Sequence, residues 1–263
     1  MTQYVILNPT GNLTALVLRT DAPEQEVTAR LMQESEQVAY LEPPSEPGAL
    51  AAIRLMGGEF CGNAAMAAAA WLIRDQLPPD SSSSGQKWTV PLQVSGAPGL
   101  VCCRIRERRG FYEGTVEMPP VLGFLRETVR GIPLTGVRME GIVHWIRESD
   151  TPLPKAEAEA LIRELAALVP SEAVGFLDRN TVTGVLCPLV WVAGSGTLVW
   201  ETACGSGSAA ISALEALRKG GGPVTTAIPQ PGGVIRAEAE AKDGRILRVA
   251  ISGRVCLGEI RTF

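Results

Sequence analysis

Apolar and polar positions follow two different periods along the chain, which predicts a mixture of helices and strands. Residues 24–39, EQEVTARLMQESEQVA, and residues 155–169, KAEAEALIRELAALV, space their apolar positions as amphipathic helices do. The short apolar segments 51–56, AAIRLM, and 197–200, TLVW, predict strands instead, as does a final segment at 253–260. The expected fold class is therefore α+β.

An internal repeat accompanies this pattern. Residues 59–71, EFCGNAAMAAAAW, align without a gap with residues 202–214, TACGSGSAAISAL. Each copy places a cysteine before a glycine and a polar residue, and small and apolar residues follow. Because each copy also follows a predicted strand, we expect Cys61 and Cys204 to lie where a strand turns into a helix.

The repeat predicts two similar lobes, each with an amphipathic helix upstream of its cysteine. The first lobe is expected to span residues 1–118, since Pro119-Pro120 breaks the chain there, and the second residues 119–263. The last strand could return to the first lobe. The proline- and serine-rich segment 75–86 is interpreted as a surface insertion rather than a functional lid.

Composition narrows the function classes. The chain has 263 residues, of which 46% are hydrophobic and 20% charged, and its net charge of -4 includes no basic stripe suited to nucleic acid. The N-terminal residues do not resemble a secretion signal, and no stretch approaches the roughly 20 apolar residues of a membrane span. We expect a cytoplasmic protein with no membrane or nucleic-acid partner, and its oligomeric state, a homodimer included, stays open.

Cysteine, histidine and lysine usage argues against a cofactor or a metal. None of the six cysteines forms a C-x-x-C pair, and the chain has one histidine, so few metal ligands are available. Its four lysines lie in no recognisable pyridoxal-phosphate or phosphate-loop motif. Free thiols are expected, and Cys102, Cys103, Cys187 and Cys256, which lack the following glycine, are interpreted as packing residues.

A cysteine at a helix start combines two chemical functions. The first N–H groups of a helix and the positive end of its dipole bind carboxylates, and the same field lowers the pKa of a thiol. The residues after each cysteine, Gly62-Asn63-Ala64 and Gly205-Ser206-Gly207, let a ligand approach the backbone. Two such elements would hold one α-carboxylate and place a thiol on each face of the α-carbon, which suits proton exchange at a stereocentre.

At CGNAA and ACGSGSAA the sequence resembles the diaminopimelate epimerase-like superfamily, which includes diaminopimelate epimerases, proline racemases and the histidine racemases of staphylopine-type opine metallophore pathways. The resemblance implies two pseudo-symmetric lobes, each a mostly antiparallel sheet or barrel around a central helix. It implies a cofactor-independent isomerase with Cys61 and Cys204 as catalytic residues. By the same resemblance, Asn12 of the Gly11-Asn12 pair, Gly62, Asn63, Gly205 and Ser206 would bind an amino-acid substrate.

Departures from that family's patterns bear on the substrate. Diaminopimelate epimerases carry a Glu-Arg pair before the second cysteine, whereas here Glu201 has no adjoining arginine. Glu201 could bind the substrate ammonium, but a distal carboxylate would lack its bidentate partner. The segments GGEFCGNA and WETACGSGSAA are more similar to the histidine racemases of opine metallophore pathways, which implies conversion of L-histidine to D-histidine.

Three further residue types have open roles. His144 matches a family histidine, which implies substrate orientation or contact between the lobes, although a lone histidine is more often structural. Trp145 and Trp200 could line an aromatic pocket or belong to the core. Glu59 is interpreted as a helix cap in preference to a substrate ligand.

Other functions compete with the racemase hypothesis. The main alternatives within its class are a diaminopimelate epimerase or a racemase of another amino acid. An isomerase of the phenazine-biosynthesis type shares the duplicated architecture but uses a carboxylate, so two cysteines argue against it. The alternative from a different class is a non-catalytic protein that binds a small acid at the two helix starts.

Overall fold

The computed structural model describes residues 1–76 and 86–263, so most of the predicted insertion at 75–86 lies outside the described residues. The chain divides into two compact units. Unit 1 comprises Met1–Glu117 and Ser252–Phe263, and unit 2 comprises Met118–Ile251. Strands outnumber helices in both units, so the fold is a sheet-dominated α+β fold.

Unit 1 holds two helices and most of one sheet. Its elements in chain order are β1 (Gln3–Pro9), β2 (Thr14–Arg19), α1 (Glu24–Leu31), β3 (Gln37–Glu42), β4 (Ala51–Leu55), α2 (Gly62–Gln76), β5 (Lys87–Val94), β6 (Leu100–Arg108) and β7 (Phe111–Glu117). β1 and β2 are antiparallel, α1 crosses over to the parallel strand β3, and β4 returns antiparallel to β3. After α2, β5 is parallel to β4, and β6 and β7 continue antiparallel.

Unit 2 repeats part of this order. Its elements are β8 (Val121–Val129), β9 (Ile132–Met139), β10 (Ile142–Ser149), α3 (Lys155–Leu168), β11 (Ala173–Asn180), β12 (Leu186–Val192), β13 (Thr197–Trp200), α4 (Gly205–Arg218), β14 (Gly222–Gln230), β15 (Gly233–Lys242) and the first part of β16 (Arg245–Thr262). β9 and β10 are antiparallel, α3 crosses over to the parallel strand β11, and β12 returns antiparallel. The later part of β16 belongs to unit 1, where it pairs with β1.

Each unit has a crossover helix packed on its sheet and a second, cysteine-bearing helix that is largely buried. Val27 and Leu31 of α1 pack with Tyr4, Val17 and Tyr40, whereas α3 packs on the sheet of unit 2 through its apolar stripe. Residues 62–71 of α2 are buried without interruption, and this helix contacts β1, β2, β5, β6 and β7. α4 contacts β10, β14 and β15. Burial of this kind suits a helix of small residues, because alanine and glycine allow close backbone approach.

The sequence predicted some elements and missed others. The helix at 155–169 and the strands at 51–56 and 197–200 are confirmed to within about a residue by α3, β4 and β13. The helix predicted at 24–39 is wrong beyond Leu31. Residues 37–42 form β3, where Val38 and Tyr40 are buried and the strand pairs with β2, so sheet pairing overrides the helical spacing.

Candidate active site

In unit 2, Cys204 occupies the position just before α4. Its backbone is extended, and its Sγ accepts a hydrogen bond of 3.3 Å from the Gly207 N–H, while its carbonyl oxygen accepts from the Ser208 N–H. The thiol therefore caps the helix as a serine or aspartate oxygen would. The N–H groups of Gly205 and Ser206 come earlier in the first turn and have no partner within the helix, which leaves them suited to an anion.

A buried amide holds the backbone at Cys204. Gln230, the last residue of β14, accepts a 2.7 Å hydrogen bond from the Cys204 N–H and donates one of 2.9 Å to Ser208 Oγ. Ser208 Oγ in turn donates to the Cys204 carbonyl at 2.7 Å. Beside this cluster, the Gly232 N–H bonds the Thr202 carbonyl. The cysteine is thus fixed from the β14–β15 turn as well as from its own helix.

The electrostatic environment of Cys204 favours the thiol. Burial is the main reason that the pKa of Cys204 is raised well above its ordinary value, and the charge and hydrogen bond of Glu201 raise it further. The Ser206 hydroxyl and the Gly207 N–H lower this pKa, because both stabilise the thiolate. Near neutral pH, Cys204 therefore holds its proton.

His144 lies on β10 and is completely buried. Its Nε2 shares a 2.9 Å hydrogen bond with Ser206 Oγ, and the same hydroxyl lies 3.5 Å from Cys204 Sγ. Burial lowers the pKa of His144 to about 3, so the imidazole is neutral near neutral pH. Unit 2 thus brings together Cys204, Ser206 and His144, and Glu201 also interacts with the Cys204 thiol.

In unit 1, Cys61 directly precedes α2 and is partly exposed. Its Sγ accepts a 3.5 Å hydrogen bond from the Ala64 N–H, and its carbonyl oxygen accepts from the Ala65 N–H. Relative to the cysteine, these donors are the same as Gly207 and Ser208 in unit 2. The two copies of the repeat therefore build the same local geometry around each thiol.

A turn after β5 supports the backbone that leads to Cys61. Ser95 Oγ donates to the Glu59 carbonyl at 2.9 Å and accepts from the Leu55 N–H at 3.0 Å. At Gly96, where φ is +69°, a Cβ would lie 2.4 Å from the Phe60 nitrogen. Only glycine fits this approach, so the turn can press directly against the segment before the cysteine.

Asn12, another predicted site residue of unit 1, is buried and bonded to protein groups. Its Nδ2 donates to Glu36 at 2.9 Å, and its Oδ1 accepts from Gln37 at 2.7 Å. Gly11 has φ of +99° and donates its N–H to Asn8, so the Gly11-Asn12 pair begins as a tight turn after β1. Gly62 and Asn63 are buried at the start of α2.

The structure decides between the two interpretations of the tryptophans. Trp145 is fully buried in the core beneath α3, where it packs with Leu161 and Phe176. Trp200 packs at the edge of the same core, and its indole N–H donates to Glu159 of α3 at 2.9 Å. Both side chains serve the sheet–helix interface of unit 2, as strand alternation allows.

The remaining cysteines divide into two groups. Cys103 is buried, and burial raises its pKa to about 12, while Cys187 and Cys256 are partly buried. Cys102 is exposed, so its interpretation as a packing residue is wrong. Successive residues of β6 point to opposite faces, which separates Cys102 from its buried neighbour.

Sequence reasoning missed Gln230, Ser208, Ser95 and Gly96. Two of these places carry a sequence signal: Gln230 is a polar residue at a strand end before the Pro231-Gly232 turn, and Ser95-Gly96 is a turn dipeptide. The partner of Gln230, Cys204, lies 26 residues away in sequence, so no local pattern links the two. Across residues 1–76 and 86–263, no group of three histidine, cysteine or acidic side chains could hold a metal ion. Over the same residues, no helix has the length and apolar character of a membrane span.

Comparison with known proteins identifies relatives along nearly the whole chain. A histidine racemase from Staphylococcus aureus is 28% identical over 262 residues, which cover 94% of this chain and 92% of that protein. A histidine racemase from Fusobacterium nucleatum is 26% identical, covering 79% of this chain and 78% of its own.

A solved structure has a similar fold. It is a hydroxyproline epimerase from Agrobacterium vitis with bound trans-4-hydroxy-L-proline, which matches with a TM-score of 0.69 at 17% identity and covers 99% of this chain and 91% of its own. The family model described as "Histidine racemase CntK N-terminal domain" matches residues 1–259. The chain therefore belongs to this family and is an isomerase of the racemase and epimerase class.

Proposed function

We propose that this protein is a cofactor-independent histidine racemase in which Cys61 and Cys204 exchange the α-proton. One observation carries the proposal. Each copy of the repeat places a cysteine at the start of a buried helix. Its sulfur accepts a hydrogen bond from the backbone N–H three residues later, with an N···S distance of 3.5 Å for Cys61 and 3.3 Å for Cys204. A pair of equivalent thiols suits a reaction that must run equally well from either enantiomer.

The two thiols take opposite roles in each direction. One thiolate removes the α-proton of the amino acid, and the other thiol returns a proton to the opposite face of the same carbon. Because its pKa is raised, Cys204 rests as the thiol and serves as the acid in the first transfer. After turnover Cys204 is the thiolate and accepts the proton of the other enantiomer.

The carbanion between the two transfers needs electrostatic stabilisation. The first N–H groups of α2 and α4, at Gly62-Asn63 and Gly205-Ser206, would bind the α-carboxylate and the charge that develops beside it. Glu201 would accept a hydrogen bond from the substrate ammonium. Asn12 would contribute to substrate binding, either directly or through its bonds to Glu36 and Gln37.

We further propose that the two units are the pseudo-symmetric lobes that the sequence predicts. Both contain an antiparallel pair, a crossover helix, a parallel strand and an antiparallel return before the cysteine-bearing helix. The order β1-β2-α1-β3-β4-α2 thus corresponds to β9-β10-α3-β11-β12-α4, with β13 added in unit 2. Matching connections around matching cysteines support descent of both halves from one ancestral unit.

Histidine is the substrate that the relatives' names support. The residues beside Glu201 agree, because no arginine adjoins it in the segment VWETACGSG. A substrate with a second carboxylate, such as diaminopimelate, would lack the bidentate cation that such a group favours. We therefore place histidine before diaminopimelate and before other neutral amino acids.

The test is incubation of the purified protein in D₂O with L-histidine and, separately, with LL-diaminopimelate, without pyridoxal phosphate or added metal. We expect D-histidine by chiral chromatography and deuterium at its α-carbon by mass spectrometry. Formation of meso-diaminopimelate without D-histidine would overturn the substrate and keep the two-thiol mechanism. No deuterium in either amino acid would favour a binding protein and reject the proposal.

A further inference from the structure

The ring of His144 packs against a glycine on the neighbouring strand, where no side chain competes for the space. β10 and β11 are parallel, and His144 is paired in register with Gly175. A Cβ added to Gly175 would lie 2.1 Å from His144 Nδ1 and 2.6 Å from Cε1. The imidazole thus occupies the space that any larger residue at position 175 would fill, which fixes its position against the backbone.

The two ring nitrogens of His144 have different surroundings. Nε2 lies 2.9 Å from Ser206 Oγ, whereas Nδ1 is buried and has no hydrogen-bond partner among residues 1–76 and 86–263. A neutral imidazole carries one N–H and one lone pair. A buried N–H without an acceptor costs more than an unused lone pair, so we assign the proton to Nε2.

This assignment determines the direction of the hydrogen bonds towards the cysteine. If Nε2–H donates to Ser206 Oγ, the hydroxyl hydrogen of Ser206 is left for its other neighbour, Cys204 Sγ, at 3.5 Å. The sulfur then receives two donors, Ser206 O–H and Gly207 N–H. Both donors stabilise a negative sulfur.

We infer that His144 is a positioning residue that acts through Ser206, holding the Ser206 hydroxyl as a fixed hydrogen-bond donor to the Cys204 thiolate. The inference rests on the proposed function, in which Cys204 is one of the two proton-transfer groups. Polar groups from three places affect the pKa of the Cys204 thiol. Glu201, which precedes α4, favours the thiol. Ser206, which is bonded to His144 of β10, and the N–H of Gly207 in α4 favour the thiolate. Gln230 of β14 binds only the backbone of Cys204.

The opposing groups explain why such a donor is useful. Burial and Glu201 keep the proton on Cys204, which suits its role as an acid. In the reverse direction the thiolate must persist long enough to accept the α-proton, and an aligned hydroxyl lowers the cost of that state. In the repeat, Asn63 occupies the position that corresponds to Ser206, so this arrangement belongs to unit 2 alone.

The first test uses the fact that His144 is the only histidine in the chain. Protein labelled with ¹⁵N-histidine, with any affinity tag removed, gives one imidazole spectrum, whose two nitrogen shifts report the tautomer directly. We expect the neutral Nε2–H form near neutral pH and a change in the Nε2 signal in Ser206→Ala. An Nδ1–H tautomer or a charged ring would overturn the inference, whether or not the protein racemises histidine.

The second test measures the thiolate at Cys204. In a Cys61→Ser background, the rate of iodoacetamide modification at Cys204, followed by peptide mass spectrometry at fixed pH, is proportional to the thiolate fraction. We expect Ser206→Ala and His144→Leu each to slow it about tenfold, which corresponds to one pKa unit. Because His144 acts through Ser206, the double variant should be no slower than Ser206→Ala alone.

Matched variants separate this role from general packing. Ser212→Ala removes another hydroxyl from α4, one that donates to the Ala237 carbonyl and not to the sulfur, and should leave the rate unchanged. His144→Gln retains a side-chain N–H and should recover part of the loss, and it substitutes for His144→Leu if that variant does not fold. Additive effects of the two substitutions, or an unchanged rate in Ser206→Ala, would overturn the inference.

Discussion

The helix starts at Cys61 and Cys204 have the same local geometry but different supports. At both cysteines, the sulfur accepts a hydrogen bond from the backbone N–H three residues later in the chain. Around Cys204 the supports are polar side chains from other strands, namely His144 through Ser206, and Gln230. Ahead of Cys61 the supports include Ser95, which bonds the backbone, and the close packing of Gly96 on the same segment.

In a duplicated site, a repeated sequence motif can reproduce the local backbone geometry. The surroundings that tertiary structure brings to each thiol must be supplied separately by each half. A helix start depends on neighbouring residues, so a short motif reproduces it. The pKa of the thiol depends on groups that tertiary structure brings near, such as Glu201, Ser206 and the burial around Cys204. The two cysteines can therefore have different proton affinities even though their motifs align.

The largest expected effect tests whether both halves are needed. Cys61→Ser and Cys204→Ser should each reduce racemisation by about 10³-fold or more, because each direction needs one base and one acid. The fold should persist, as shown by circular dichroism and urea unfolding. Cys102→Ser, which changes an exposed thiol, is the matched control and should keep full activity. Near wild-type racemisation by either catalytic variant would refute the two-thiol mechanism.

A second prediction distinguishes the halves by pH, because only unit 2 contains a histidine. Burial lowers the pKa of His144 from 6.5 to about 3. Below pH 6.5 the unfolded chain takes up a proton at His144 that the folded chain does not. The free energy of unfolding is therefore at its full value above pH 6.5 and decreases as the pH falls towards 3. The expected slope is about 1.4 kcal/mol per pH unit.

Urea unfolding between pH 6.5 and 4.5 measures this slope before Glu148, whose pKa is lowered mainly by its hydrogen bond to Arg218, adds its own acid sensitivity. His144→Gln should flatten the curve, so that the stability difference between variant and wild type changes by about 2 to 3 kcal/mol across the range. Parallel curves for the two proteins would show that His144 takes up protons in the fold and would contradict its assignment as neutral.

A third prediction concerns the side chain that anchors Cys204. Gln230→Ala leaves the Cys204 N–H and the Ser208 hydroxyl without the amide that bonds both, in a buried place. We expect the free energy of unfolding to fall by about 2 kcal/mol and kcat/KM to fall about tenfold. Gln93→Ala, whose amide bonds lie at the surface, is the control and should cost less than about 0.5 kcal/mol. Equal losses of stability and activity in the two variants would contradict a role for Gln230 in anchoring Cys204.

The fold could be predicted from the sequence where local patterns decide it. The amphipathic stripe of α3 and the junctions of strand and helix at the two cysteines depend on residues close together in the chain. The helix predicted beyond Leu31 failed because Val38 and Tyr40 satisfy both a helical spacing and a buried strand. The pairing of β3 with β2 decided the outcome, and periodicity carries no information about pairing.

The candidate site divides in the same way. The cysteines and their glycines stand out because the motif occurs twice. The contacts that set their surroundings join residues far apart, such as His144 and Ser206, which are 62 positions apart, and Cys204 and Gln230, which are 26 apart. Nor does the sequence show that Gly175 makes room for an imidazole, since one glycine looks like another until the strand register is known.

The smallest expected effect tests the comparison at the residue that donates to each sulfur, which is Ala64 in unit 1 and Gly207 in unit 2. A Cβ at Gly207 would lie 2.8 Å from Leu177 Cδ2 and 3.3 Å from Cys204 Sγ. In Gly207→Ala, crowding of about 1 to 3 kcal/mol is offset by about 1 kcal/mol of helix propensity, so we expect a net loss near 1 kcal/mol.

The added methyl should act mainly on the thiol, because Leu177 is fully buried and cannot move away freely. We therefore expect kcat/KM of Gly207→Ala to fall about fivefold to tenfold. The reciprocal change, Ala64→Gly, removes a methyl that the Cys61 site already accommodates and should cost about 1 kcal/mol of stability with activity within twofold. Urea unfolding and racemisation rates of the two variants measure both effects. If Ala64→Gly lost more activity than Gly207→Ala, the crowding at the second thiol would not be what distinguishes the two sites.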